Sequence, residues 1–523
     1  MEQLDVTEAT VFQEGGRLEF HECSTHAVPD GCRLVMAESS IAGAGWGVFS
    51  LEPLKRGQTL GGTSNGDIAI HLTDPNPLAA EGMKRLIWEY LWDGQEVGGQ
   101  YEGQRVMSFV PGIGMLANGE ANLFNVLPLK PSIDNAAISR NSSPGAGAIT
   151  HYHNLTWKVQ RDLEKGSEIF VNYGEGWFKE RGYVDQPLPA GRRSSSWLRE
   201  HGYCLDNLFP GESRLQHAGR GAFASRDLQT GNVIAPVPVL ALTSESLKMA
   251  KEHEATGQVV ITEQLARNYC FGHRNSSRLL FPYSPMVNLI NHGSEGTSNV
   301  KLRWSEASVL LIQVNELQEL TSRLLLELVA TRPIDQGDEI LLDYGAEWES
   351  AWKDHVEHWQ PPRARYVSSH DMNRDEEHRI LLTPAELQID PYPDNIFTSC
   401  YYRLSVELNL ANTDNPSQVL QWRKSPGLME GPRYLRPCAV LDRHPVGKDR
   451  QGEFLYTVRI FNRPGLDPSE RVPKGRPYIL KGVPRYAIEF SDKLYTTDLH
   501  LENSFRKEIT LDVFPNQWMD INW

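Results

Sequence analysis

The strongest constraint on this chain is that it repeats itself once over a long period. Residues 43–50 read Gly-Ala-Gly-Trp-Gly-Val-Phe-Ser, and residues 217–224 read His-Ala-Gly-Arg-Gly-Ala-Phe-Ala. Each stretch is followed by a leucine and then by Gly57 or Gly231 ahead of an apolar run. Farther on, the run from Asp162 to Gly174, containing Gly166-Ser167-Glu168-Ile169 and ending Asn172-Tyr173-Gly174, is echoed by the run from Pro333 to Gly345. That second run contains Gly337-Asp338-Glu339-Ile340 and ends Asp343-Tyr344-Gly345. Trp177 and Trp348 stand at the same distance beyond. Gly45 and Tyr173 are 128 positions apart and Gly219 and Tyr344 are 125 apart. A lone G-x-G means nothing in a chain with 43 glycines, but its return at a matched distance from a second motif does. The period is too long for a solenoid and predicts a duplicated domain.

A chain of 523 residues has room for about three domains. Residues 183–196 are turn-rich and aperiodic, as a linker is, and Pro361-Pro362 opens a second break of mixed charge. The predicted organisation is a first domain over 1–182, a linker over 183–212, a second domain over 213–358, a linker over 359–379 and a C-terminal domain over 380–523. The run Glu453 to Phe461 alternates with period two, so the last domain is expected to be mainly β. Helices are few. Met83, Leu86, Ile87, Tyr90 and Leu91 follow helical spacing up to Gly94, and Trp348, Trp352 and Val356 share one face of a second helix; both stripes are expected to face the core.

Lys+Arg 52 against Asp+Glu 67 leaves a net charge of −15, which repels phosphate backbones and attracts basic partners. No direct nucleic-acid partner is expected. No apolar run approaches the ~18 residues of a membrane span, and Met1-Glu2-Gln3-Leu4-Asp5 lacks the basic and apolar regions of a signal peptide and is too acidic for a transit peptide. Residence in the nucleus or cytoplasm is expected. Six cysteines without a C-x-x-C pair fit a reducing compartment in which disulfides are not needed. His21, Cys23, His26 and Cys32 match no common zinc spacing, and His151 and His153 are read as exposed strand histidines, so no metal is expected.

Within the second copy, Ile290-Asn291-His292 is followed by a small-residue turn and Asn299. G-x-G, then Asn-His with a downstream Asn, then I-x-x-G-x-E-I-x-x-x-Y-G, in this order and spacing, resembles the SET-domain methyltransferases, which use S-adenosylmethionine to methylate lysine side chains. The resemblance covers 213–350 well and 33–178 less well. It implies a mainly β fold with some α, the β-clip or SET pseudoknot, in two tandem copies ahead of the C-terminal domain. It further implies that Gly219, Arg220 and Gly221 line the methionine part of the cofactor, Asn291 and His292 its ribose and adenine, and that Tyr344 both borders the cofactor and is the catalytic residue of the methyl-transfer channel. The first copy departs from the pattern. Where the second has Asn291-His292 it has Asn118-Gly119, 73 positions after Gly45 against 72 from Gly219 to Asn291, so its cofactor site is expected to be weakened.

The residue types suit the reaction. A lysine attacks a sulfonium methyl only when neutral, which costs about 4 kcal/mol at neutral pH, and an apolar, aromatic channel lowers that cost by desolvating the ammonium. The expected activity is protein-lysine N-methyl transfer to a histone or another basic protein. The alternative is an inactive SET pair serving as a scaffold or as a chromatin- or peptide-binding module, with Tyr478, Tyr486, Phe490 and Tyr495 of the C-terminal domain offering an aromatic cage.

Overall fold

The computed structural model describes residues 28–60, 66–72, 81–93, 107–120, 122–129, 136–180, 191–252, 259–306, 324–362, 367, 369–375, 379–393, 395–401, 419–422, 435–446, 453–461, 478–492 and 503–519. Two antiparallel ribbons with the same register carry the glycine motifs. Leu34–Glu38 pairs with Trp46–Ser50, setting Glu38 opposite Trp46 and Ala37 opposite Gly47. Leu208–Glu212 pairs with Arg220–Ala224, setting Glu212 opposite Arg220 and Gly211 opposite Gly221. The first glycine of each motif has a left-handed φ, 75° at Gly45 and 67° at Gly219, a conformation that a side chain would strain.

Buried polar groups then tie each ribbon to the later motif through equivalent bonds. Glu168 accepts from Ser39 Oγ at 2.6 Å, Ser40 N at 2.8 Å and Asn118 Nδ2 at 3.5 Å. Glu339 accepts from Ser213 Oγ at 2.6 Å, Arg214 N at 2.9 Å and Asn291 Nδ2 at 3.2 Å. Asn125 and Asn299 donate to the carbonyls of Glu168 and Glu339, at 2.8 and 2.9 Å, and accept from Phe170 N and Leu341 N. Since a buried polar group needs its partner, these bonds fix both motifs in the same way in both halves.

The fold is mainly β with few helices. In the second half an eight-stranded sheet runs, in spatial order, Asn291–His292, Leu341–Leu342, Val300–Trp304, Leu324–Ala330, Val233–Thr243, Arg278–Pro282, Phe271–Gly272 and Ile509–Thr510. Leu341–Leu342 is the last of the first three in sequence, yet it lies between the other two and parallel to both. Such an insertion departs from ordinary unthreaded connections. The first half builds a sheet from Thr59–Leu60, Tyr152–Val159, Asp67–Leu72, Met107–Phe109 and Trp92–Asp93. Its helix Glu81–Tyr90 sets Ile87, with Met83, Leu86 and Tyr90, against the core as the stripe predicts. One continuous apolar core runs from Met36 to Trp518 through both halves.

Several expectations change. The segment 183–212 is more than a linker: Ser194 caps the helix Ser195–His201 by accepting from Trp197 N, Tyr203–Cys204 pairs with Leu34–Glu38, and Leu208–Glu212 forms the second ribbon. Within 359–379 the helix Ser369–Arg374 buries Met372 in the C-terminal core. That core belongs to a six-stranded sheet reaching from Ile396 to Asp492. Residues 503–519 leave it and dock on the second half, where Ile509 N donates to Cys270 O and Trp304 Nε1 to Val513 O.

The cysteines also differ from expectation, since Cys32 pairs with Cys204 and Cys400 with Cys438 as disulfides; folding brings together partners that lie far apart in sequence. His151 and His153 are buried rather than exposed, at 3% each, because the first half's sheet packs on the second half. Phe490 is a core residue, while Tyr486 is 59% exposed; Tyr495 lies outside the described residues, as do His21, Cys23 and His26. Among the described residues no helix is long and apolar enough to cross a membrane.

Candidate active site

Asn291 and His292 are delivered by the short turn Val287–Leu289, entered through Met286 with a left-handed φ of 65°. Asn291 Nδ2 donates to Arg220 O at 2.8 Å, joining the Asn-His strand to the glycine ribbon. His292 Nδ1 accepts from Tyr344 N at 3.1 Å, which leaves the ring proton on Nε2. Burial lowers the imidazole's pKa, against the opposing pull of Asp343, so the ring is held neutral. The rings of Tyr344 and Trp348 stand 5.5 and 5.1 Å from His292.

The Tyr344 hydroxyl donates to Ile290 O. Burial pushes its pKa far above the ordinary value, so the phenol keeps its proton. Trp348 meets Tyr344 edge-on at 4.8 Å and stacks on Trp352 at 5.9 Å. These groups border a cavity of about 300 Å³ that Arg220, Asn291, His292 and Tyr344 all line. The Arg220 Nε is buried without a hydrogen-bond partner, and burial lowers the guanidinium's pKa against the support of Glu212. A cation in that position suits an anionic ligand group.

Gly219 and Gly221 stand behind the cavity rather than in its wall. A Cβ at Gly221 would come 2.5 Å from Glu339 Oε1, and one at Gly219 would come 2.3 Å from Ala136 O. They permit close backbone packing beside Arg220, whose side chain lines the cavity. Conversely, Trp348 and Trp352, expected to face the core, line the cavity, and Val356 is exposed at 37%. The helix Ala346–His358 has no buried residue, and the two tryptophans of its stripe serve the cavity instead. Phe505, His217, His153 and the stretch around Gly145 also reach the cavity, and nothing in local periodicity marks them.

The first half keeps the framework but fills the histidine's position differently. Asn118 Nδ2 donates to Trp46 O at 2.8 Å and the Tyr173 hydroxyl to Ala117 O at 3.0 Å. A Cβ at Gly119, however, would lie 2.3 Å from Tyr173 Cδ2. The tyrosine ring occupies the place that the histidine side chain has in the second half, and Trp177, Phe178 and Trp92 surround it at 4.8, 6.1 and 6.3 Å. Elsewhere among the described residues Cys32, Cys204 and Asp206 come within metal-ligand distance of one another. The thiols form a disulfide and Asp206 is engaged by Arg33 and Arg226 at 3.1 and 3.0 Å, so these side chains are already committed.

The SET domain family model matches residues 219–345, and this segment is a SET domain. Among solved structures, a Plasmodium falciparum protein provisionally named a histone methyltransferase is 19% identical over 27% of this chain and 96% of its own, with a TM-score of 0.18. The Chaetomium thermophilum polycomb repressive complex 2 is 17% identical over 26% of this chain and 15% of that one, with a TM-score of 0.19. A polycomb repressive complex 2 in its basal state is 15% identical over 33% of this chain and 18% of that one, again at 0.19. Scores this low carry nothing across to this protein. No curated protein matches the sequence.

Proposed function

We infer that this protein transfers a methyl group from S-adenosylmethionine to a lysine side chain of a histone or another basic protein, and does so in the cavity of the second half. The SET domain at 219–345 supports lysine methyltransferase activity at the level of the family. The finer reading is carried by one observation: Arg220, Asn291, His292 and Tyr344, from three separate stretches of sequence, converge on a single cavity.

The residues present fit the cofactor. The unpartnered Arg220 Nε suits its carboxylate, and the faces of His292 and Trp348 suit its adenine. When bound, S-adenosylmethionine supplies an electrophilic methyl group on sulfur. The protein's own part is to hold the acceptor amine neutral and aligned. Leu289 and Ile290 offer apolar wall that disfavours an ammonium. The protonated Tyr344 hydroxyl, anchored on Ile290 O, orients the amine without acting as a nucleophile.

We read the two halves as a duplicated SET fold whose first member has Tyr173 in the histidine's place. The net charge of −15 favours a basic acceptor segment, and nuclear or cytoplasmic residence follows from that choice of partner. The test is transfer of labelled methyl from S-adenosylmethionine to histones and to lysate proteins. Label should appear on lysine, and Tyr344→Phe should slow transfer about 100- to 1000-fold, the usual scale for one transition-state contact. Failure of the whole chain to bind S-adenosylmethionine by calorimetry would instead leave the inactive scaffold as the reading.

A further inference from the structure

The first half meets the second through, among other contacts, the segment 143–150, Ser-Pro-Gly-Ala-Gly-Ala-Ile-Thr. Residues 143–147 are buried one after another, and Thr150 is buried as well. The segment is held to the second half and to the tail mostly by its backbone. His355 Nε2 donates to Pro144 O at 2.9 Å, Arg506 Nη1 to Gly147 O at 2.5 Å and Asn268 Nδ2 to Ala148 O at 2.9 Å. Asn268 Nδ2 also reaches Phe505 O at 2.9 Å, so one amide clasps both segments. Thr150 N donates to the Tyr269 hydroxyl at 2.8 Å, and Ser143 Oγ meets His217 Nδ1 at 3.1 Å.

The small side chains have a steric cause. A Cβ at Gly145 would stand 2.3 Å from the His217 carbonyl oxygen, a backbone atom that cannot swing away. Just before this segment, Ala136 O fills the space over Gly219. The glycine loop of the second half is therefore pressed from behind by the first half's main chain, while Gly145, Ala148 and Ile149 border the cavity itself.

We propose that the segment 143–150 is a fixed wall of the second half's ligand cavity, and that the first half, with Tyr173 in the histidine's place, acts as a built-in partner that holds the glycine loop in its binding shape. This rests on the methyltransferase reading for the identity of the ligand but not for the existence of the wall. A displaceable lid would leave its backbone groups to solvent when shut loosely. Here the carbonyls of Pro144, Gly147 and Ala148 are each paired across the interface, as in permanent packing.

Two full-length variants test it. Gly145→Val drives the segment off the His217 carbonyl, and the double variant Ser143→Ala/Arg506→Ala loosens it without adding bulk, should the valine prevent folding. The probe is S-adenosylhomocysteine, read by calorimetry, with hydrogen exchange followed at 143–150, 215–221 and 287–292. The expected result is binding weakened at least tenfold, together with faster exchange in all three segments and a thermal transition that stays cooperative. Binding within twofold of the native protein, with exchange faster at 143–150 alone, overturns the wall. If the native protein does not bind the probe but His292 and its neighbours still lose protection in the variants, the methyltransferase reading fails and the wall stands; if they keep protection, both fail.

Discussion

His292 does two jobs that one substitution separates from each other. Its Nδ1 accepts from Tyr344 N at 3.1 Å, and its ring faces Trp348. His292→Ala removes both, so binding of S-adenosylmethionine should weaken at least tenfold, about 1.4 kcal/mol. His292→Asn keeps an acceptor for Tyr344 N and should restore the fold's thermal midpoint while recovering little affinity. Calorimetry and thermal unfolding on the same samples decide it, and equal recovery of both would mean the ring is not a ligand contact. The corresponding position in the first half behaves oppositely. Gly119→Ala places a methyl 2.3 Å from the Tyr173 ring, and overpacking of this kind costs about 1–3 kcal/mol. The first half should be destabilised, and through the core it shares with the second the cofactor affinity there should fall as well; unchanged affinity would uncouple the two halves. Gly119 was legible as a departure from Asn-His; its filling by an aromatic ring was not, because the packing of Trp92, Trp177 and Phe178 around Tyr173 joins residues with no shared local pattern.

At the scale of elements, the docked tail is the largest departure from what the sequence shows. Trp518 is 1% exposed, meets Trp304 edge-on at 5.5 Å and gives its carbonyl to Ser276 Oγ at 2.6 Å. Thr510 N donates to Tyr344 O at 3.1 Å, so the tail touches the residue assigned to the reaction. Trp518→Ala should cost about 3–5 kcal/mol of stability, lower the thermal midpoint and weaken cofactor binding, since Phe505 holds its place beside Trp348 and Trp352 only while the tail is docked. A loss of stability with unchanged affinity would uncouple tail from cavity. The motifs around Gly219 and Tyr344 could be read because each is contiguous and each recurs. The tail could not: Ile509 finds its partner strand at Phe271 after more than two hundred intervening residues, and neither period nor capping encodes such a contact. The ribbon Leu208–Glu212 escaped for a different reason, since Pro210 and Gly211 inside it read as a turn.

Across the whole molecule, one apolar core runs through both halves, and two buried groups on one strand of the first contribute opposite dependences of stability on pH. Asp67 and His71 both lie on Asp67–Leu72, which is buried along its length. Burial raises the Asp67 pKa to about 7, although Trp157 Nε1 and Gly114 N donate to it. Burial lowers that of His71 to about 3, with Ser108 bonded to its Nδ1. For Asp67 the folded state holds the proton more tightly than the unfolded chain, so its favourable contribution is complete below about pH 4 and is lost as pH rises towards 7, a change on the order of 4 kcal/mol. For His71 the unfolded chain binds the proton more tightly, and stability falls as pH drops from about 6.5 towards 3. Between these limits the two slopes oppose each other, so the contributions of Asp67 and His71 largely cancel. Asp67→Asn removes one slope. Relative to the native protein, the variant should gain stability steadily from pH 4 to pH 7 and no further above it, as measured by urea unfolding at fixed pH values. A difference that does not vary with pH would show that Asp67 titrates alike in both states. Because Asp67 also lies directly against Gly112 and Gly114, on the chain leading to Asn118, the same titration should loosen the first half, and through the wall at 143–150 the cofactor affinity of the second half should decline as pH rises through 7.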